Sequence, residues 1–177
     1  KNKNSIDQWG TFITTPFISK KLAKVSVKTK VSGVNLTLIT KIIDGNGKKY
    51  ISKTEQSFNN EFEQNIPVKN PKLWGVETPN LYTAITEVYK NNQLQDVTTT
   101  RFGIRDIKFE PHKGFSLNGK ITKFKGVCLH HDLGPLGSAV NKAALRRQLR
   151  ILKDMGANAI RSSHNMPSME QLELCDE

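Results

Sequence analysis

Apolar and polar positions alternate along most of the first hundred residues. Between 23 and 31, Ala23, Val25 and Val27 fall on one side and Lys24, Ser26 and Lys28 on the other. That period of two belongs to a half-buried strand. Similar runs predict strands over Thr11–Phe17, Val34–Ile43, Lys49–Thr54, Phe58–Ile66, Tyr82–Tyr89 and Gln95–Ile104. Turn chemistry separates them: in Asp44-Gly45-Asn46-Gly47 and in Asn91-Asn92 the residues tolerate positive φ. Seven strands with turns about every 8–12 residues predict an antiparallel sandwich of immunoglobulin-like type over 1–108. This half has no cysteine, so it lacks the inter-sheet disulfide of antibody domains. Phe12, Phe62 and Tyr82 stand at core-like positions, and Trp74, between Pro71 and Pro79, reads as a loop residue over an open end of the sandwich.

The period changes near Asp106–Pro111. Phe115–Leu117 and Ile121–Phe124 flank Asn118-Gly119, a two-residue hairpin signal. Lys125–Leu129 is a short apolar strand that ends at His130-His131-Asp132, and a Gly/Pro loop follows. In Asn141–Met155, Leu145, Leu149, Leu152 and Met155 recur at helical spacing opposite Arg146, Arg147, Arg150 and Lys153, with Gly156 placed as the C-terminal cap. Ala157–Arg161 is a second short strand, ending in Ser162-Ser163-His164. Ser168 and Gln171 then form a capping box for a last helix expected to carry Met169, Leu172 and Cys175 inward. Two strand–helix units in a row imply parallel strands, which need both faces covered. A (β/α)8 barrel takes roughly 250 residues. Residues 109–177 are therefore expected to be its N-terminal part only, a hairpin plus two βα units of a truncated barrel.

Composition narrows the function classes. No run of apolar residues is long enough to span a bilayer as a helix. Two cysteines, Cys128 and Cys175, exclude a disulfide-stapled mini-protein, and both are expected in the core as inert thiols. Lys1–Gly10 is polar and no signal peptide is read in it, which leaves cytoplasm and periplasm both open. The net charge of +11 admits nucleic acid as a partner. However, the lysines are scattered on the outer faces of predicted strands, where they oppose edge-to-edge association, and no aromatic stacking stripe accompanies them.

Active sites of (β/α)8 barrels lie at the C-terminal ends of the strands. One such end carries His130, His131 and Asp132, the other Arg161, Ser163 and His164. Cationic and imidazole groups converging there suit an oxygen-rich ligand, or hold a carboxylate in its charged form. A zinc site from His130, Asp132 and His164 has no supporting spacing motif, so no metal is expected. Ser163 lacks the glycines of a nucleophile elbow.

Several blocks in order carry a resemblance. Phe115-Ser-Leu-Asn-Gly-Lys120, Lys125-Gly-Val-Cys-Leu-His-His-Asp132, Leu152-Lys-Asp-Met-Gly-Ala-Asn-Ala-Ile-Arg-Ser-Ser-His164 and Leu174-Cys-Asp-Glu177 resemble the start of the catalytic barrel in glycoside hydrolase family 2. Arg101-Phe-Gly-Ile-Arg105 is similar to the end of that family's immunoglobulin-like domain. Among its members the chain looks most like the β-galactosidases, ahead of β-glucuronidase and β-mannosidase.

The resemblance implies roles. His130 would line the sugar pocket, Arg161 would stand beside the catalytic nucleophile, and His164 would contact the sugar in the −1 subsite. Asp132 is a further candidate at the mouth. The family often has Asn where Cys128 stands, and Ser-His-Tyr-Pro where this chain reads Ser163-His164-Asn165-Met166-Pro167, which puts the sugar preference in question. The parent would be a retaining hydrolase of terminal β-glycosides, working by double displacement without a cofactor. It needs two carboxyl groups about 5–5.5 Å apart. In this family both are glutamates on later barrel strands, so the chain by itself is expected not to hydrolyse glycosides, and its exposed barrel faces are expected to self-associate. The competing readings are a non-catalytic β-sandwich module that binds carbohydrate or protein, and a nucleic-acid binder resting on charge alone.

Overall fold

The computed structural model describes residues 3–54 and 60–177. The chain folds into two compact units. One comprises residues up to Lys108 together with Leu117–Gly119, and the other comprises Phe109–Ser116 and Lys120–Glu177.

The first unit is a sandwich of two antiparallel sheets. One sheet has the order β1 (Ser5–Ile18), β2 (Leu22–Ser32), β5 (Glu61–Lys69). The other has the order β4 (Lys49–Thr54), β3 (Thr37–Ile43), β6 (Leu81–Lys90), β7 (Gln93–Gly103). Lys49–Thr54 matches its expected bounds, whereas β1 begins six residues before Thr11. It crosses two register shifts, between Ile6 and Thr11 and between Thr14 and Phe17, which interrupt its alternation. Phe58, the expected start of β5, lies outside the described residues. Phe12 is a correction: it is 65% exposed. It pairs across from Lys28 on the outer face of β2, and only its neighbours Thr11 and Ile13 oppose buried residues. Phe62 and Tyr82 are buried as expected.

The inward residues form two apolar clusters. Ala23, Val25, Val27, Ile42, Ile66 and Tyr82 belong to one, and Val31, Leu38, Phe62 and Val88 to the other. Three buried polar residues join up between the sheets: Thr40 from β3, Gln64 from β5 and Thr86 from β6. The Thr40 hydroxyl donates to Gln64 Oε1 and lies 3.3 Å from the Thr86 hydroxyl. Gln64 Nε2 donates to the Leu38 and Ser52 carbonyls and to Thr54 Oγ1 at 3.2–3.3 Å. This polar layer ties β5 of one sheet to β3 and β4 of the other.

A half-buried ion pair lies on the four-stranded sheet. Lys41 Nζ donates to Glu87 Oε1 at 2.6 Å, and the Tyr89 hydroxyl donates to Glu87 Oε2 at 2.9 Å. The hydrogen bond from Lys41 holds the Glu87 carboxyl below its usual range. A carboxyl depressed in the folded state stabilises above its unfolded pKa, and that stabilisation is lost as pH falls through the folded value. The stability difference between the protein and its Glu87→Gln variant is therefore expected to shrink as the pH is lowered from 7 to below about 4. Urea unfolding at stepped pH measures it; a difference independent of pH would mean that the charge of Glu87 contributes nothing.

Trp74 is half-buried in the loop before β6 and makes an isolated bridge to Pro79. The Arg105 guanidinium sits 4.8 Å from its ring centroid. β8 (Ile107–Glu110), β9 (Gly114–Leu117) and β10 (Lys120–Ile121) make a small sheet in the order β10-β9-β8. Asn118 (φ 53°) and Gly119 (φ 78°) form the expected tight turn between β9 and β10. Two consecutive positive φ values suit Asn-Gly and exclude β-branched residues. Three hydrogen bonds tie Asn118 into the first unit. Its N–H donates to the Asp106 carbonyl, its Oδ1 accepts from Asp106 N–H, and its Nδ2 donates to the Trp74 carbonyl at 2.9 Å.

The second unit holds a pair of parallel strands, β11 (Gly126–Leu129) and β12 (Ala159–Ser162), and two helices, α1 (Lys142–Asp154) and α2 (Met169–Asp176). Phe115 packs against Phe109 and Phe124, with ring centroids 5.0 and 4.5 Å apart. The C-terminal cap of α1 behaves as its sequence predicts, and the structure adds Asn141 as the cap at its start. Asn141 Oδ1 accepts from Ala144 N–H, Gly156 N–H donates to the Lys153 carbonyl, and Ala157 N–H donates to the Leu152 carbonyl, a Schellman ending. On α2 the Ser168 hydroxyl accepts from Gln171 N–H. The inward face of α2 is corrected: Met169, Leu172 and Cys175 are exposed, and Gln171 is the buried residue. Helix spacing groups those three residues on one stripe, but the packing of α1 on α2 uses a different one. Among the described residues no helix is long and apolar enough to cross a membrane.

Candidate functional site

The C-terminal ends of β11 and β12 lie side by side because the strands are parallel and in register. Gly126 pairs with Ala159, Val127 with Ile160, Cys128 with Arg161 and Leu129 with Ser162. Gly126 permits the close approach at the start, since a Cβ there would stand 3.0 Å from the Ala159 carbonyl oxygen. Asn158 fastens the same end. Its Oδ1 accepts from Lys125 N–H at 2.8 Å, and its Nδ2 donates to the Lys123 carbonyl at 3.0 Å. At the other end Ser163 N–H donates to the Leu129 carbonyl at 2.8 Å, holding the loop after β12 against the tip of β11.

That geometry brings two of the expected site residues together. The rings of His130 and His164 meet edge to face, 5.6 Å between centroids. His164 has φ 70°, a left-handed conformation uncommon for a residue with a side chain, and this turns its ring back over the strand ends. Both rings are exposed to solvent.

Arg161 and Asp132 are not paired with each other. Arg161 is exposed, makes no ion pair among the described residues, and directs Nη1 at Cys128 Sγ, 3.9 Å away. Asp132 Oδ1 accepts from Gly134 N–H at 2.7 Å, so one oxygen of its carboxylate shapes the loop. His131 and Asp132 instead line an open cleft of 220 Å³ with His130, Leu145, Met166 and Gln171. Met166 is 84% exposed at its rim. The sequence does not single out Asn158 or Gln171 for these positions. An Asn before an apolar strand and a Gln in a capping box each have an ordinary local reading that conceals the longer-range role.

Cys128 is a further correction, since it is exposed. In a two-stranded parallel sheet, Val127, Leu129, Ile160 and Ser162 take the half-buried side, and Cys128 and Arg161 take the open one. The hydrogen bond from Arg161 holds the Cys128 thiol below its usual range, with the Ser163 hydroxyl acting in the same direction.

Residues 5–105 match the family model of glycosyl hydrolases family 2, and residues 108–177 match the TIM barrel domain of the same family. The chain belongs to glycosyl hydrolase family 2. Its fold is accordingly the family's immunoglobulin-like domain followed by the start of the TIM barrel domain. Within glycosyl hydrolase family 2 it is 43% identical over 179 residues to the β-galactosidase BoGH2A of Bacteroides ovatus, covering 95% of this chain and 21% of that protein. It is 44% identical over 104 residues to a β-glucuronidase of Streptococcus agalactiae, covering 59% of this chain and 17% of that protein. A solved structure of a family 2 member from Bacteroides cellulosilyticus superposes with a TM-score of 0.93 at 34% identity, over 99% of this chain and 24% of that one. The chain thus spans about a fifth of the length of the curated relatives it matches.

Proposed function

We propose that this chain is the immunoglobulin-like domain, residues 1–108, and the opening βα units of the catalytic barrel, residues 109–177, of a retaining β-glycosidase acting on terminal β-galactosides. The observation that carries the reading is the convergence of His130 and His164 at two adjacent parallel strand ends, within a family 2 barrel domain.

Each side chain then has a task its chemistry suits. The two imidazoles offer donors and acceptors to the hydroxyls of a sugar bound across the strand ends. The Arg161 guanidinium, without a carboxylate partner among the described residues, is the group to hold the nucleophilic carboxylate ionised and oriented. Asp132 is kept at the mouth by its bond to Gly134 and leaves one carboxylate oxygen for the ligand. Two carboxyl groups about 5–5.5 Å apart would perform the double displacement, one as acid/base and one as nucleophile. No cofactor is required.

The carboxylates of the second unit do not supply that pair. Asp154, Glu170, Glu173 and Asp176 are helical, and Glu110 ends β8. The catalytic glutamates are therefore assigned to barrel strands outside this chain.

The test is hydrolysis of chromogenic β-galactoside and β-glucuronide by the whole protein, with and without His164→Ala. Turnover of the galactoside, reduced at least about tenfold by the substitution, supports the reading. Turnover of the glucuronide alone would move the substrate to uronides. Turnover of neither would return the chain to the reading of a binding module.

A further inference from the structure

Two asparagines of this chain precede a glycine, in Asn46-Gly47 and Asn118-Gly119, and a lysine follows each pair, Lys48 and Lys120. An Asn-Gly bond is well suited to attack on its own side chain. With no Cβ on the second residue, little hinders the approach of its backbone nitrogen to the asparagine Cγ. The shared Gly-Lys context gives both dipeptides nearly the same intrinsic reactivity. A large difference between them must then come from the fold.

The fold treats them in opposite ways. Asn118 is half-buried, and its carboxamide is held from both ends. Oδ1 accepts from Asp106 N–H at 3.0 Å and Nδ2 donates to the Trp74 carbonyl at 2.9 Å. Its own N–H donates to the Asp106 carbonyl at 2.8 Å. The carboxamide cannot turn toward the Gly119 nitrogen until both of its bonds break. Asn46 lies exposed in the turn between β3 and β4, and among the described residues its carboxamide makes no hydrogen bond. Asp44 makes the bonds of that turn instead. Its Oδ1 accepts from the N–H groups of Asn46 and Lys48, and its carbonyl accepts from Gly47 N–H at 2.9 Å. A Cβ on Gly47 would meet nothing within 4 Å, so there is room around the attacking nitrogen. One backbone bond at an exposed turn, the kind that opens most readily, stands in the way.

We propose that Asn46 is a site of spontaneous conversion to aspartate and isoaspartate, and that the bonds of Asn118 protect the second Asn-Gly from the same reaction. The Gly47 nitrogen gives its proton to hydroxide and attacks Asn46 Cγ. A C–N bond forms, the Cγ–Nδ2 bond breaks, and Nδ2 leaves as ammonia with a proton taken from water. A second water opens the cyclic imide at either of its two carbonyls, and nothing is oxidised. One carboxylate replaces one carboxamide beside Asp44.

The experiment ages the whole protein in mildly alkaline buffer and follows each asparagine by peptide mass spectrometry, with isoaspartate resolved from aspartate. Asn46 is expected to convert at least about tenfold faster than Asn118, whose carboxamide must first break two hydrogen bonds. Isoaspartate should be present among the products, because an imide opens on both sides whereas direct hydrolysis yields aspartate alone. Gly47→Ala, at an exposed turn, should slow Asn46 by about fivefold or more. In urea, where neither asparagine is held, the two rates should agree within about threefold. Asn46 as slow as Asn118 in the folded protein would mean that the turn is covered or held, and would overturn the site. Aspartate without isoaspartate, or a rate indifferent to Gly47→Ala, would overturn the cyclic step. A tenfold gap that persists in urea would overturn protection by the fold.

Discussion

Gln64→Ala is expected to lower the unfolding free energy by about 3–4 kcal/mol, the sum of a cavity and of broken hydrogen bonds. Gln64 is 1% exposed, so truncation removes volume from the middle of the sandwich, where packing relaxes only in part. The substitution also removes four partners at once. Thr40 loses its acceptor, and the Leu38 carbonyl, the Ser52 carbonyl and the Thr54 hydroxyl lose a donor. Among the described residues the Thr40 hydroxyl then retains the Thr86 hydroxyl, at 3.3 Å. Gln64→Met restores most of the volume and none of the bonds, so it should recover about half of the loss. Urea unfolding of the three proteins separates the contributions. A cost below about 1 kcal/mol for Gln64→Ala would mean that water replaces the amide and that the layer tying the two sheets is dispensable.

Arg161→Ala is expected to lower kcat/KM for a β-galactoside by about 10²–10³-fold in the whole protein, with most of the loss in kcat. The guanidinium is exposed on the open face of two parallel strands, beside the strand ends where the imidazoles meet. A group that organises a nucleophilic carboxylate acts in the transition state, where charge moves between that carboxylate and the sugar. Arg161→Lys should recover little, because an ammonium offers a point charge where the guanidinium offers a planar fork. Steady-state kinetics of both variants tests the assignment. A loss under tenfold, or full recovery by lysine, would leave Arg161 as a general source of positive charge.

Much of the fold was legible because alternation states which side of a strand is buried. Ala23, Val25 and Val27 alternate with Lys24 and Lys28, and the structure buries the first set. The hairpin at Asn118-Gly119 and the caps at Gly156 and Ser168 were legible for a related reason: each is decided by its own backbone and its nearest neighbours.

What alternation leaves open is the character of the neighbour across the gap. Thr40, Gln64 and Thr86 hold inward positions on three strands, and only the packing of the two sheets turns three separate polar residues into a layer. The same limit explains Phe12, Cys128 and Met169. Each is apolar enough to be read as core, and each lies on a face left open to solvent. At the candidate site, strand-end position located His130 and His164 near each other, since parallel register sets the strand ends side by side, while the left-handed backbone of His164 that completes the approach is not legible in the spacing. The turning of Arg161 toward Cys128 depends on side-chain geometry that no spacing encodes.

Asn118 lies ten residues past the point where the sandwich ends, yet it completes the bonding of Asp106 and Trp74. The boundary between the two units is therefore not a single cut in the gene. Recombination that exchanged one relative's barrel for another's at residue 108 would bring in a foreign turn to cap a resident sandwich. A crossover after residue 119 would instead carry the sandwich away entire. Lineages that shuffle these units are expected to keep their breakpoints beyond that turn, or to inherit Asp106, Trp74 and Asn118 as a set.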